Sequence, residues 1–462
     1  MHRSSTAPQH PAAFAGIIGV AQRDITPPVG IFARNWGAAK HDVASGVHRQ
    51  LMLVCTTFRD TDAGEPLVLI GADLGWWKSA QDERTLREGI LQALGLDASR
   101  LMFCLSHTHA GPGTFSEDAG KPGGEYIIPF LQHVQAMAIE AATEALESAL
   151  PAILSWAYGH CSLAVNRDLP EPGGNRYVVG FNPSEAADDT LLAGRITDGE
   201  GRVMGTVVNY ACHPTTLAWD NALISPDYVG AMRETVESAT GAPCLFLQGA
   251  SGELSPREQY SGDTRLADRY GRQLGHAVLS ALDGLLPAGK ELVYQGAVES
   301  GAPLGIWQEE DYAPSVDLQA QMEVISMPLK DLPTLAEIEA LWASCEDHVR
   351  KERLWRQRGI RKSLGDGTHA DMPLWVWKLG GAFLAGQPNE AYSAFQIDLR
   401  AQLAPAAVAV INIVNGYAGY LPPAGHYQRD SYAVWQTPFR EGGLELLTRT
   451  ALNISHQLNI PA

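Results

Sequence analysis

The sequence holds two histidines one residue apart, Ser106-His107-Thr108-His109, followed by Ala110-Gly111-Pro112-Gly113. They follow the apolar run Leu101 to Leu105. In extended backbone alternate side chains share a face, so the spacing predicts His107 and His109 pointing together at a strand's C-terminal end. Two imidazoles so placed suit a Zn²⁺ site. They suit two hydrogen-bonded loop histidines as well, and a bare H-x-H does not separate the readings. A second apolar run, Val207 to Cys212, ends in His213-Pro214, and proline holds the residue before it extended. In Gly386-Gln387-Pro388-Asn389-Glu390, Asn389 is an N-cap candidate and a helix is predicted from Glu390. A carboxylate there either serves the helix dipole or offers an oxygen to the same metal. Tyr417, Tyr420 and Tyr427 lie in and after a small-residue loop, Asn415-Gly416-Tyr417-Ala418-Gly419-Tyr420. They either aim phenols into a cleft or pack at a sheet edge. Asn166-Arg167-Asp168 either holds a guanidinium over a developing anion or makes a surface turn. Around Ser251 the string Gly249-Ala250-Ser251-Gly252-Glu253 departs from G-x-S-x-G, which disfavours a serine hydrolase. No phosphate-binding loop, G-x-G-x-x-G or H-E-x-x-H occurs.

The elements that must position these residues alternate. Strand-like runs are Leu51 to Phe58, Leu67 to Gly71, Leu101 to Leu105, Val203 to Ala211, Cys244 to Leu247, Trp375 to Ala385 and Ala407 to Val414. Helical periodicity covers Phe130 to Leu150, Arg265 to Leu285, Leu335 to Arg356, Glu390 to Leu403 and Leu444 to Leu458. Alternation of this kind predicts an α/β fold with buried sheets. Asp198-Gly199-Glu200-Gly201 between two apolar runs predicts a β-hairpin, hence mixed sheets flanked by helices. Ser300 to Pro333 reads as a linker or flap, and the charged helix after it as a solvated face. Residues 1–13 read as a loose tail and 14–462 as one large catalytic domain. Trp36, Trp76, Trp77, Trp219 and Trp307 lie near candidate loops and read mainly as packing residues.

The 462 residues are 45% hydrophobic and 19% charged, which excludes general disorder. A net charge of −18 disfavours nucleic acid and anionic membranes as partners. No apolar run reaches the roughly 20 residues of a membrane span, and the N-terminus shows no apolar signal core. Six scattered cysteines without C-x-x-C make no disulfide framework. These features together predict a cytoplasmic protein.

Taken in order, the segments resemble the neutral (alkaline, non-lysosomal) ceramidase family. Gly19 to Pro27 is similar to its opening "D-I-T-P" segment, and Gly46-Val47-His48-Arg49-Gln50 to its "G-x-H-x-R". Ser106 to Gly113 is close to its "T-H-T-H-S-G-P-G" signature, the most specific match. Asn166-Arg167, His213-Pro214-Thr215 with Ser225-Pro226-Asp227, Gln248 to Pro256 and Asn415 to Tyr420 follow in family order. The resemblance spans about residues 16–430. It implies zinc held by His107, His213, Glu390 and Tyr417. It also implies His109 and Arg167 beside the scissile carbonyl, and Tyr427 or Tyr420 near the oxyanion. The implied activity is hydrolysis of an N-acyl amide in a small-molecule substrate. An ester or cyclic amide, or a non-catalytic binding role on the same fold, remain alternatives. The family's "P-G-E-F" pattern is replaced here by Gly386 to Glu390, and no C-terminal immunoglobulin-like domain is expected.

Overall fold

The computed structural model describes residues 9–460. Its larger sheet has eight strands: β1 (Ala12–Asp24), β2 (Met52–Arg59), β3 (Leu67–Ala72), β4 (Leu101–Leu105), β5 (Leu150–His160), β6 (Thr190–Asp198), β7 (Val203–Tyr210) and β8 (Cys244–Gln248). Their spatial order is β8-β7-β6-β5-β1-β2-β3-β4. The end pairs β3–β4 and β7–β8 are parallel and the rest antiparallel. A second sheet orders β9 (Leu318–Pro328), β10 (His369–Leu379), β11 (Ala382–Gly386) and β12 (Ala407–Ile411), with β11 and β12 parallel.

Nine helices complete the described residues: α1 (Ala80–Leu94), α2 (Ile127–Glu147), α3 (Tyr228–Thr240), α4 (Thr264–Asp283), α5 (Leu335–Ser344), α6 (His348–Leu364), α7 (Ala394–Leu403), the short α8 (Tyr432–Gln436) and α9 (Gly443–Leu458).

The strand pleat sorts the core into layers. Val68, Ile70, Leu101 and Phe103 face α1 and α2, where Ile90, Phe130 and Val134 meet them. Val208 and Phe246 face Val236 of α3 and Val278 of α4. The alternate residues Leu69, Met102, Val207 and Leu245 face inward onto Trp375, Trp377 and Leu384 of the second sheet. That sheet's outer face buries Val376, Phe383 and Val410 under Phe395 of α7 and Leu447 of α9. The molecule is therefore helix, sheet, sheet, helix, in one large domain. Each fully buried apolar side chain contributes about 1.5–3 kcal/mol. Burial of both faces explains why these strands read as unbroken apolar runs.

Two contacts bring the far edges of the larger sheet together. A methyl group on Gly71 of β3 would sit 2.6 Å from Leu245 Cδ1 and 2.8 Å from the Phe246 carbonyl of β8, so only glycine permits that approach. The segment after β12 then fills the gap. Asn412 N donates to Gln248 O (2.9 Å), and Asn415 N donates to Phe103 O (3.0 Å).

Several expectations need correction. The tail expected over residues 1–13 does not hold for residues 9–13, because Gln9 bridges to Leu292 and β1 begins at Ala12; residues 1–8 lie outside the described residues. Trp375 to Ala385 is two strands turned at Gly380, whose φ is +54°. The helix expected over Leu335 to Arg356 is two, because Asp347 caps a new one by accepting from Arg350 N at 2.7 Å. Ser300 to Pro333 is mostly strand: Pro303–Asp311 pairs with Lys290–Glu299, and β9 pairs with β10. The helix expected from Glu390 starts at Ala394; Glu390 and Ala391 instead pair in parallel with Tyr420 and Leu421.

Candidate active site

Every candidate side chain that converges comes from beyond the C-terminal end of a strand. The His107 backbone does not continue β4. It turns into the left-handed region with φ +68°, a conformation that costs a residue with a Cβ about 1–3 kcal/mol. The turn is held by His107 N donating to Leu74 O (2.9 Å) and His109 N to Pro214 O (3.3 Å). His107 and His109 therefore meet through a loop, not through strand alternation. Their Nε2 atoms lie 3.4 Å apart.

His213 follows β7 and is fully buried. Its Nδ1 faces two backbone carbonyls, Ser251 O at 2.7 Å and Leu254 O at 3.1 Å. His107 Nδ1 faces Gly75 O at 3.1 Å. A carbonyl only accepts, so both Nδ1 atoms carry the proton and both Nε2 atoms present lone pairs. The lone pairs point at one place. Glu390 Oε2 lies 2.8 Å from His213 Nε2 and 3.4 Å from His107 Nε2. Tyr417 donates its hydroxyl to Glu390 Oε1 at 2.7 Å. The three histidines offer nitrogens all within 4.8 Å of one another.

Burial and then the Arg167 charge push His213 down to about 4, so it is neutral at pH 7. Burial, reinforced by His107 and His213, holds His109 well below the usual imidazole range. Burial raises Tyr417 and Tyr420 well above an ordinary phenol, so both stay protonated. Neutral imidazole nitrogens and a carboxylate, all acceptors and all buried, repel one another unless a cation sits among them. Imidazoles with a carboxylate oxygen are a donor set that fits Zn²⁺. His107, His213 and Glu390 would hold the ion, with Tyr417 beside it and His109 at its open side.

Arg167 completes the wall. Leu254 and Asn166 are partners in a short antiparallel pair, and Arg167 N donates to Glu253 O (2.8 Å), which sets the guanidinium against the His213 loop. Arg167 Nη2 donates to Gly252 O (2.7 Å) and to the Tyr420 hydroxyl (2.9 Å), and lies 3.2 Å from His213 Nε2. The structure thus brings together His107, His109, His213, Glu390, Arg167, Tyr417 and Tyr420. It does not bring Tyr427, whose hydroxyl donates to Phe439 O (3.2 Å) and Arg440 O (3.1 Å). Ser251 Oγ accepts from Gln248 Nε2 (2.6 Å) and faces no base.

Sequence reasoning missed Tyr432, whose ring lies 5.5 Å from that of Tyr420. It belongs to no motif and is placed by the short α8. Of the tryptophans, Trp76 and Trp36 pack on His109 at 4.8 and 5.3 Å, whereas Trp77 is buried against Phe103. Trp219 stacks on Tyr260, and Trp307 is exposed on the Lys290–Asp311 hairpin. The basic α6 was expected to be a solvated face. Its Trp355, Arg356 and Ile360 instead line the cleft above the histidines, which opens partly to solvent. No described helix is long and apolar enough to cross a membrane.

No protein-family model matches the chain. It is 24% identical over 248 residues to the neutral ceramidase of Pseudomonas aeruginosa. That alignment covers 52% of this chain and 36% of the relative, so the match spans about a third of the relative's length. Among solved structures, a ceramidase complexed with C2 superposes over 97% of this chain and 76% of its own, with a TM-score of 0.68 at 15% identity. The crystal structure of neutral ceramidase from P. aeruginosa superposes over the same shares with a TM-score of 0.67 at 17% identity.

Proposed function

From its relationship to the neutral ceramidase family, we propose that the chain is a zinc-dependent amidohydrolase cleaving the N-acyl amide bond of a small molecule. The observation that carries this reading is the pair of carbonyl-fixed tautomers, which turn the lone pairs of His107 and His213 onto the carboxylate of Glu390. Bound there, zinc lowers the pKa of a coordinated water towards about 7 and polarises a carbonyl.

The remaining steps belong to the protein. The Tyr420 hydroxyl, which accepts from Arg167 Nη2 at 2.9 Å and is thereby made a stronger donor, donates towards the oxygen that gains charge as the amide carbon becomes tetrahedral. His109 is neutral at pH 7, so it accepts a proton from the attacking water and returns it to the leaving amine. Trp76 and Trp36 hold its ring in place. Tyr417 steadies Glu390 through its hydroxyl.

The test is metal analysis of tag-free wild type and His213→Ala, followed by a panel of linear N-acyl amides, esters and cyclic amides. About one zinc per chain, lost in the variant, together with cleavage of the linear amides, is the expected result. A folded wild type that refuses added zinc would overturn the proposal.

A further inference from the structure

The cleft above the histidines carries more positive charge than its acidic groups neutralise, in a chain whose net charge is −18. Lys121 is matched by Asp118 at 2.8 Å, and Arg358 by Glu117 and Glu339 at 3.2 and 3.0 Å. Lys78 is different. It follows Trp76-Trp77 in the connection from β3 to α1 and is half-buried. Its Nζ donates to the amide oxygen of Asn35 at 3.3 Å and rides over the Trp76 ring at 5.4 Å. Among the described residues no carboxylate forms an ion pair with it. A half-buried ammonium whose direct contacts are an amide oxygen and an indole, with Asp118 and Glu352 acting on it only at longer range, can take a closer anionic partner.

Arg356, on α6, faces the same cleft. Its Nη1 donates to the Tyr432 hydroxyl at 2.9 Å and its Nε reaches Glu352 at 3.3 Å. Its Nη2 has no partner among the described residues. Burial lowers Lys78 to about 8, so it remains largely charged at pH 7.

Both cations stand one aromatic ring from the reacting groups. Trp76 lies between Lys78 and His109, 4.8 Å from the imidazole. Tyr432 lies between Arg356 and Tyr420. An anion seated between them would be close to the scissile bond, not at the far end of an acyl chain. Phe32, Phe115, Trp355 and Ile360 provide apolar wall for the acyl chain itself.

We infer that Lys78 and Arg356 form an anion subsite, and that the substrate is an N-acyl amide bearing a negative group on its amine half, as in an N-acyl amino acid. The inference rests on the amidohydrolase reading and adds the substrate class to it. A neutral amide of equal chain length would leave Lys78 without a carboxylate partner and Arg356 with Glu352 alone, and specificity arises from that difference.

The experiment compares N-lauroylglycine and N-lauroyltaurine, both anionic, with neutral N-lauroylethanolamine. The anionic amides are expected to have at least tenfold higher kcat/KM, and Lys78→Met is expected to lower the anionic-to-neutral ratio at least tenfold. Arg356→Gln, as the second variant, lowers it in the same direction. Cleavage of only one anionic amide supports the inference and identifies its anion. General damage to the fold would lower all three rates and leave the ratio alone, so an unmoved ratio in both variants overturns the inference, as does a wild-type preference for the neutral amide. If none of the three is cleaved, the hydrolase reading fails and binding decides the subsite separately. Tryptophan fluorescence would then give Kd values for N-lauroylglycine and N-lauroylethanolamine. Tighter anion binding that Lys78→Met abolishes supports the subsite, and equal Kd values overturn it.

Discussion

The guanidinium of Arg233 grips the carboxylate of Asp73 through two hydrogen bonds, Nη1 to Oδ2 at 2.7 Å and Nη2 to Oδ1 at 2.9 Å, with both side chains buried. Asp73 directly follows β3 and Arg233 belongs to α3, while Arg233 Nε also reaches Cys244 O at the start of β8 (3.3 Å). One ion pair therefore fastens the two ends of an eight-stranded sheet behind the candidate active site.

Removing one member of such a pair strands a buried charge. Arg233→Met is expected to cost about 3–5 kcal/mol. Urea unfolding measures it, and a loss below about 1 kcal/mol would show that the sheet closes without the pair.

Gly71→Ala places a methyl against Leu245 and the Phe246 carbonyl. The strands must separate, at about 1–3 kcal/mol. Because His107 and His213 stand on opposite sides of that closure, zinc affinity is expected to fall with stability. Calorimetric titration with zinc checks this; an unaltered affinity in a destabilised variant would uncouple the closure from the site.

His109 is placed for proton transfer, and its loss should leave the ion held by the other donors. His109→Ala is expected to keep its zinc while kcat falls by about 10²–10⁴. A variant with full zinc and full kcat removes His109 from the chemistry.

Arg167→Met removes the charge that polarises the Tyr420 hydroxyl beside the developing oxyanion and should lower kcat by about 10²–10³, with little change in KM. Tyr420→Phe should act in the same direction. A change confined to KM would reassign Arg167 to ground-state binding.

The stability contributed by Glu83 and Glu253 should decline as pH rises from about 5 to about 7.5. Burial raises both Glu83 and Glu253 to about 7, above the roughly 4.3 of an unfolded glutamate. Between those values the folded state holds more protons, so its advantage is complete below the unfolded pKa and is lost as pH climbs through the folded one. Each group accounts for up to about 3 kcal/mol. Glu253→Gln should shrink the difference in urea midpoint between pH 5.5 and pH 8.0; an unchanged difference would free Glu253 of that role.

Much of this architecture is legible in the residues. Leu101 to Leu105 is the predicted strand to the residue, and the turn around Gly199 makes the predicted hairpin. The order of motifs implied His107, His109, His213, Glu390, Tyr417 and Arg167 in one site, with Tyr427 or Tyr420 beside them; of those two tyrosines only Tyr420 converges. What could not be read was long-range. Strand alternation gave the right pair of histidines for the wrong reason, because His107 owes its direction to Leu74 and Pro214 across the loop. Asn389 and Glu390 carry a strong helix-start signal, but pairing with Tyr420 overrides it. Tyr427 and Tyr432 are both tyrosines after the same loop, and only the packing of α8 decides which faces the cleft. The charged α6 shows amphipathic chemistry whose partner, the cleft, does not exist until both sheets meet.

The residues of the candidate site are far apart in sequence: Glu390 comes 177 positions after His213, and Tyr420 comes 253 positions after Arg167. Ribosomal synthesis therefore delivers two imidazoles long before it delivers the carboxylate and the phenols. A nascent chain can offer an ion only half a cage, and contacts of such separation form late. If the proposed site takes up zinc, loading would therefore follow delivery of Glu390, and bound metal would report on chains that have folded past it.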